Sequence, residues 1–132
     1  MVRLLKSGMD VGVLFDQNIT RNHALFVDWF GRPAATTKAL ALAALKTEAP
    51  IFVVALIQKD VDRNFYECGE CNCSDIYSNT VLSKNEKLLQ ITESLVRRYE
   101  SLILKNPESW FWMHRRWKTA PEGNAEDFYV GC

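Results

Sequence analysis

No stretch of this chain approaches the roughly 20 consecutive apolar residues that a membrane-spanning helix requires. The longest apolar run, Ala49 to Ile57, is interrupted by Pro50. The first residues, Met1 to Gly8, hold too short an apolar segment for a secretory signal and read as the tail of a helix stopped by Gly8. An excess of one charge is also missing. Sixteen Lys and Arg balance sixteen Asp and Glu, so no global field points to nucleic acid or to an anionic membrane. There is no internal repeat, and no second Cys-x2-Cys accompanies Cys68 and Cys71. These absences make a cytosolic face the default expectation.

What is present suits one modest globular domain. The chain has 132 residues, 48% of them hydrophobic and 24% charged, which is ordinary for a packed core under a solvated surface. Val11 to Phe15 is a short apolar run bounded by polar residues and reads as a buried strand, with a ligand-side loop from Gln17 to Asn22 at its end. Ala24 to Phe30 is expected to be extended. Gly31-Arg32-Pro33 should turn the chain into a helix over Ala34 to Lys46, with Pro33 at its first turn. Ile51 to Ile57 is a continuous apolar strand, suited to a central parallel position covered on both faces. Gln58 to Leu82 reads as an irregular surface excursion. Ser83-Lys84-Asn85-Glu86 is a capping box opening a long helix, whose stripe Leu88, Ile91, Leu95, Tyr99 and Leu102 should pack on the sheet. Asn106-Pro107 stops that helix. Strand, loop, helix and strand in this order predict an α/β fold, a layered sheet flanked by helices.

Four constellations carry potential chemistry. His23 and Asp28 have the His-x4-Asp/Glu spacing in which an imidazole takes a hydroxyl proton and a carboxylate orients it. On an extended segment an odd separation would point them to opposite faces, so the spacing reads as a decoy. Asp16, Gln17 and Asn18, with Arg21 and the Arg32-Pro33 turn, offer an acid, amides and guanidiniums for phosphates or sugar hydroxyls; the alternative is ordinary turn chemistry. In Trp110 to Lys118, aromatics interleave with Arg115, Arg116 and Lys118. Such a segment suits a membrane interface or base stacking, or else its indoles anchor the last element to the core while the cations stay solvated. Cys68, Cys71, Cys73 and Cys132 are four thiols with loose spacing, read as free surface thiols and not as a zinc site. No metal is expected.

Leu14-Phe15-Asp16-Gln17-Asn18, Phe26-Val27-Asp28-Trp29-Phe30-Gly31-Arg32-Pro33-Ala34-Ala35-Thr36-Thr37 and Trp110-Phe111-Trp112-Met113-His114-Arg115-Arg116-Trp117-Lys118 together resemble the C-terminal part of the bacterial lipid A biosynthesis lauroyl/myristoyl acyltransferases. The resemblance runs from about Gly8 to Lys118. His23, Trp29 and the cysteine-containing excursion depart from the family pattern. The resemblance implies a partial acyltransferase domain of layered αβα architecture. It implies fatty acyl transfer from an acyl carrier protein thioester to a hydroxyl of a lipid A precursor, in lipopolysaccharide biosynthesis, with no other cofactor. The place would be the membrane surface at the cytoplasmic face of the inner membrane, with no nucleic acid partner. Asp16, Gln17, Arg21, Arg32, Arg115 and Arg116 are then the expected substrate-binding residues, Arg32 foremost. The family's catalytic His-x4-Asp/Glu block belongs upstream of Val11, so the 132 residues are expected to be one C-terminal part of a domain, a fragment inactive alone. The rival expectations are a non-catalytic lipid- or protein-binding domain of the same fold, and a small zinc- or nucleic-acid-binding protein.

Overall fold

The computed structural model describes residues 1–60, 63–122 and 129, without the side chains of 58–60 and 63–64. The fold is mixed α/β, as expected, but its strands form two separate antiparallel hairpins. In chain order the elements are α1 (Val2–Lys6), β1 (Ala24–Trp29), β2 (Arg32–Thr37), α2 (Ala39–Thr47), β3 (Ile51–Asp60), β4 (Arg63–Cys71), α3 (Ser74–Ser78) and α4 (Lys84–Lys105). Short 3₁₀ turns lie at Arg21–His23 and Pro107–Ser109.

The long helix α4 organises the rest. Its first turn is closed by the expected capping box: the Ser83 backbone N–H donates to Glu86 Oε2 at 2.7 Å, and the Glu86 N–H to Ser83 Oγ at 3.3 Å. Leu88, Ile91, Leu95 and Leu102 are buried at the expected helical spacing, and the Tyr99 ring packs beside Phe15 and Trp29. On this stripe sit both hairpins and the alanine-rich α2, whose buried Ala41, Ala43 and Ala44 hold no bulk between the helices.

Four local expectations are corrected. The segment 32–37 is a strand, not the start of a helix. Phe30 (φ 52°) and Gly31 (φ 77°) both take left-handed backbone, the two-residue turn whose twist matches an antiparallel pair. Pro33 therefore lies in β2 opposite Asp28, on a two-stranded sheet with a free edge for a residue without N–H, and the helix begins only at Ala39. Ile51 to Ile57 is not a central parallel strand. It pairs with β4, burying Ile51, Val53 and Ile57 while Phe52, Val54 and Leu56 face out. A continuous apolar run does not reveal whether one face or two are covered. Much of the supposed excursion after Gln58 is β4 and α3; residues 61 and 62 lie outside the described set. Finally, Val11 to Phe15 joins no ladder among the described residues, and only Phe15 of it is buried.

Candidate functional site

The turn of the first hairpin is held from α4. The Phe30 N–H donates to the Glu100 carboxylate, anchoring a non-glycine residue in left-handed backbone. Below the turn, Trp29 is wholly buried, and its indole N–H donates to Thr36 Oγ1 across the hairpin at 3.1 Å. Thr36 passes its own proton to the Ala34 carbonyl, also at 3.1 Å. The hydroxyl of Thr36 is thus a buried hub inside a two-stranded sheet.

Onto this hub docks the segment after Pro107. Arg116 is completely buried. Its Nη1 donates to the Ala35 carbonyl at 2.7 Å, its Nη2 donates to Thr36 Oγ1, and its guanidinium carbon lies 4.5 Å from the centre of the Trp29 ring. Burial pulls its pKa down to about 10, opposed by the nearby Asp16 carboxylate, so it remains a cation at neutral pH. Trp110 stacks parallel to Trp29, with centroids 6.2 Å apart and planes 10° from parallel. It also meets Trp112 and Trp117 edge-on. The indoles anchor this segment to the core, but the expectation that its cations all stay solvated fails at Arg116. A planar fork surrounded by two acceptors and an indole face compensates the lost water.

The same segment clasps the Asp16-Gln17-Asn18 loop. Asp16 Oδ2 accepts from Trp110 Nε1 at 3.0 Å and Oδ1 from Gln17 Nε2 at 3.2 Å. The Asn18 N–H donates to His114 Nε2 at 2.7 Å, which places the proton of a neutral His114 on Nδ1. The Asn18 side chain exchanges two hydrogen bonds with Thr119: Nδ2 to Oγ1 at 3.1 Å, and the Thr119 N–H to Oδ1 at 3.2 Å. Arg21 donates to the Ala120 carbonyl at 2.8 Å, pairs with Glu122 at 3.6 Å and lies over the Phe26 ring. Residues 94 to 101 positions apart therefore form one strap around the hairpin.

Of the sequence-derived candidates, Asp16, Gln17 and Arg116 meet in this cluster, and Arg21 lies on the strap. Arg32 is half-buried at the hairpin turn, while exposed Arg115 lies over the Tyr129 ring at 5.4 Å. His23 and Asp28 are both exposed, and no hydrogen bond joins them. Glu100 and Thr119 emerge only from the structure, as does the role of Thr36, whose place in the 26–37 block marks it without saying that its hydroxyl is a buried hub. A glutamate on a long helix and a threonine near a turn carry no signature of their own. Cys71 and Cys73 are buried, a correction to the reading of all four thiols as surface groups, whereas Cys68 is exposed and Cys132 lies outside the described residues. No group of three or more potential ligands capable of holding a metal occurs among the described residues.

Phe111, Trp112 and Met113 protrude beside Arg115 and Lys118. Among the described residues no helix is long and apolar enough to cross a membrane. Among curated proteins, no relative matches the chain. The family model for bacterial lipid A biosynthesis acyltransferase matches residues 1–119, which takes in the hairpin, the Asp16–Asn18 loop and the strap. The chain belongs to the bacterial lipid A biosynthesis acyltransferase family.

Proposed function

We propose that this chain is the C-terminal part of one acyltransferase domain and supplies the scaffold on which a phosphorylated lipid A precursor is held. The reaction served is fatty acyl transfer from an acyl carrier protein thioester to a precursor hydroxyl. The observation that carries the reading is the strap. An acid, two amides and the guanidiniums of Arg21 and Arg116 are held around one hairpin by hydrogen bonds. These bonds are exposed at Arg21, half-buried at Asp16 and Asn18 and fully buried at Arg116, and they supply the rigidity that a binding constellation needs. Arg32, at the hairpin turn, is the residue assigned to the acceptor's phosphate. Arg21 and Arg115 are assigned as further cations for the acceptor, and Asp16 and Gln17 as partners for its sugar hydroxyls. Arg116, whose two terminal nitrogens are engaged by Ala35 and Thr36, is a positioning residue.

The transfer itself needs an imidazole that takes the hydroxyl proton as the oxygen attacks the thioester carbonyl, after which the carrier's thiolate leaves and is protonated. His23 and Asp28 are exposed and unjoined, so these 132 residues perform no turnover by themselves. The protruding Phe111, Trp112 and Met113 with Arg115 and Lys118 support contact with the membrane surface, assigned to the cytoplasmic face of the inner membrane. The test is an acyl-transfer assay of the purified chain with acylated carrier protein and a phosphorylated precursor, beside equilibrium binding of the precursor. Binding without product is expected. Product formation abolished by His23→Ala or Asp28→Asn would overturn the assignment and make the chain a complete catalyst.

A second reading, a non-catalytic lipid- or protein-binding domain, is favoured by one observation. The outer face of the second hairpin exposes Phe52, Val54, Leu56 and Tyr66 together. That reading predicts binding that ignores the precursor's phosphates and survives Arg32→Ala.

A further inference from the structure

Cys71 is the last residue of β4 and Cys73 immediately precedes α3, so one residue separates two thiols where the chain leaves a sheet for a helix. Their sulfurs are 3.9 Å apart, and the residues retain only 7% and 3% of their exposure. Cys68 lies three positions earlier in β4 and faces solvent on the opposite side of the strand, away from the pair.

The surroundings favour a thiolate. Cys71 holds its proton and shares it with Cys73, and Tyr77 adds a second hydrogen bond. Together these bring Cys73 down to about 7 from an ordinary 9.0 against the opposing effect of burial. The same sharing, with burial, raises Cys71, while the positive charge of Arg98 acts in the other direction. The Arg98 guanidinium lies flat on Gly69, where a Cβ would sit 1.8 Å from its Nη2, so glycine is what lets this cation approach the sheet. The pair lies at the edge of the core where the five-residue α3 begins, with Ile76 and Tyr77 of that helix packed against the same cluster.

We propose that Cys71 and Cys73 form a redox-active dithiol that hydrogen peroxide converts to an intrachain disulfide. The Cys73 thiolate attacks one peroxide oxygen, the O–O bond breaks, and hydroxide leaves, taking up a proton to become water. The Cys71 sulfur then attacks the Cys73 sulfenic acid, forming the S–S bond. A second water leaves with the hydroxyl of the sulfenic acid and the proton of Cys71. Two thiols are oxidised, one peroxide is reduced, and two waters are made. The sulfurs must close from 3.9 Å to about 2 Å, the span of a disulfide. The ring spans only three residues, so it constrains the unfolded chain little and acts as redox chemistry more than as a staple.

The experiment treats the full chain, and the full chain carrying Cys68→Ser, with hydrogen peroxide, then alkylates and maps the peptide holding residues 71 and 73. The expected peptide is two hydrogens lighter, unalkylated at both positions, and alkylated after a reductant. The oxidation rate should rise with pH through about 7 as the Cys73 thiolate forms. In Cys71→Ser, Cys73 should instead be trapped by dimedone as a sulfenic acid. Three results would overturn the proposal: both thiols still alkylating after peroxide, Cys73 proceeding to sulfinic acid beside a free Cys71, or the bond forming to Cys68 in the unsubstituted chain.

Discussion

Arg116 joins three structures at once: the β2 backbone through Ala35, the hydroxyl of Thr36 and the face of Trp29. Removing it strands buried acceptors away from water, so Arg116→Met should destabilise the fold by at least about 2 kcal/mol, read from denaturant unfolding. Arg116→Lys should not rescue it, since a point charge cannot replace the fork. Glu86 tests electrostatics at the same scale. The Ser83 hydrogen bonds hold its carboxyl below the ordinary 4.5, so this contribution is complete above that value and is lost as pH falls through the lower folded value. Ser83→Ala, which keeps the backbone N–H bond to Glu86, should weaken that acid-side dependence and lower stability by about 1 kcal/mol, measured as unfolding midpoints across acidic pH. These residues were unequally legible. The Ser83–Glu86 pair is a local signature and reads directly from sequence. Burial of Arg116 is not local, because a guanidinium beside a tryptophan reads equally as a solvated cation until Thr36 is brought to it from 80 positions away.

At the scale of elements, the first hairpin depends on two residues in left-handed backbone, Phe30 and Gly31. Gly31→Ala should cost about 1 kcal/mol, because only glycine takes that conformation freely. The second hairpin depends on close approach at Gly69. Gly69→Ala should destabilise by displacing Arg98, and Arg98→Ala in the same chain should recover part of the loss, a coupling that a double-mutant cycle reads. The α4 stripe was legible because helical spacing is a property of consecutive residues. The hairpins were not. Gly31-Arg32-Pro33 serves equally as a strand–helix corner or as a β-turn leading into an edge strand, and only the antiparallel partner decides. The apolar run Ile51 to Ile57 likewise hides which of its two faces the helix covers.

At the scale of the whole molecule, the strap joins the beginning of the described chain to its end, so the scaffold and the core share one set of contacts. Asn18→Ala should therefore loosen the strap at Thr119 and speed hydrogen exchange of the Thr119 N–H, leaving the α4 amides protected. Family membership was legible because three separated blocks coincide with parts the fold brings together. The individual binding roles were less so, since the same guanidiniums serve packing in one place and solvent in another. The most direct measurement of the central claim is equilibrium binding of a phosphorylated lipid A precursor to the full chain, compared with Arg32→Ala and with the precursor's dephosphorylated form. Arg32→Ala should weaken binding about tenfold, dephosphorylation should do the same, and the two losses should not add. Equal affinity for all three combinations would contradict that claim.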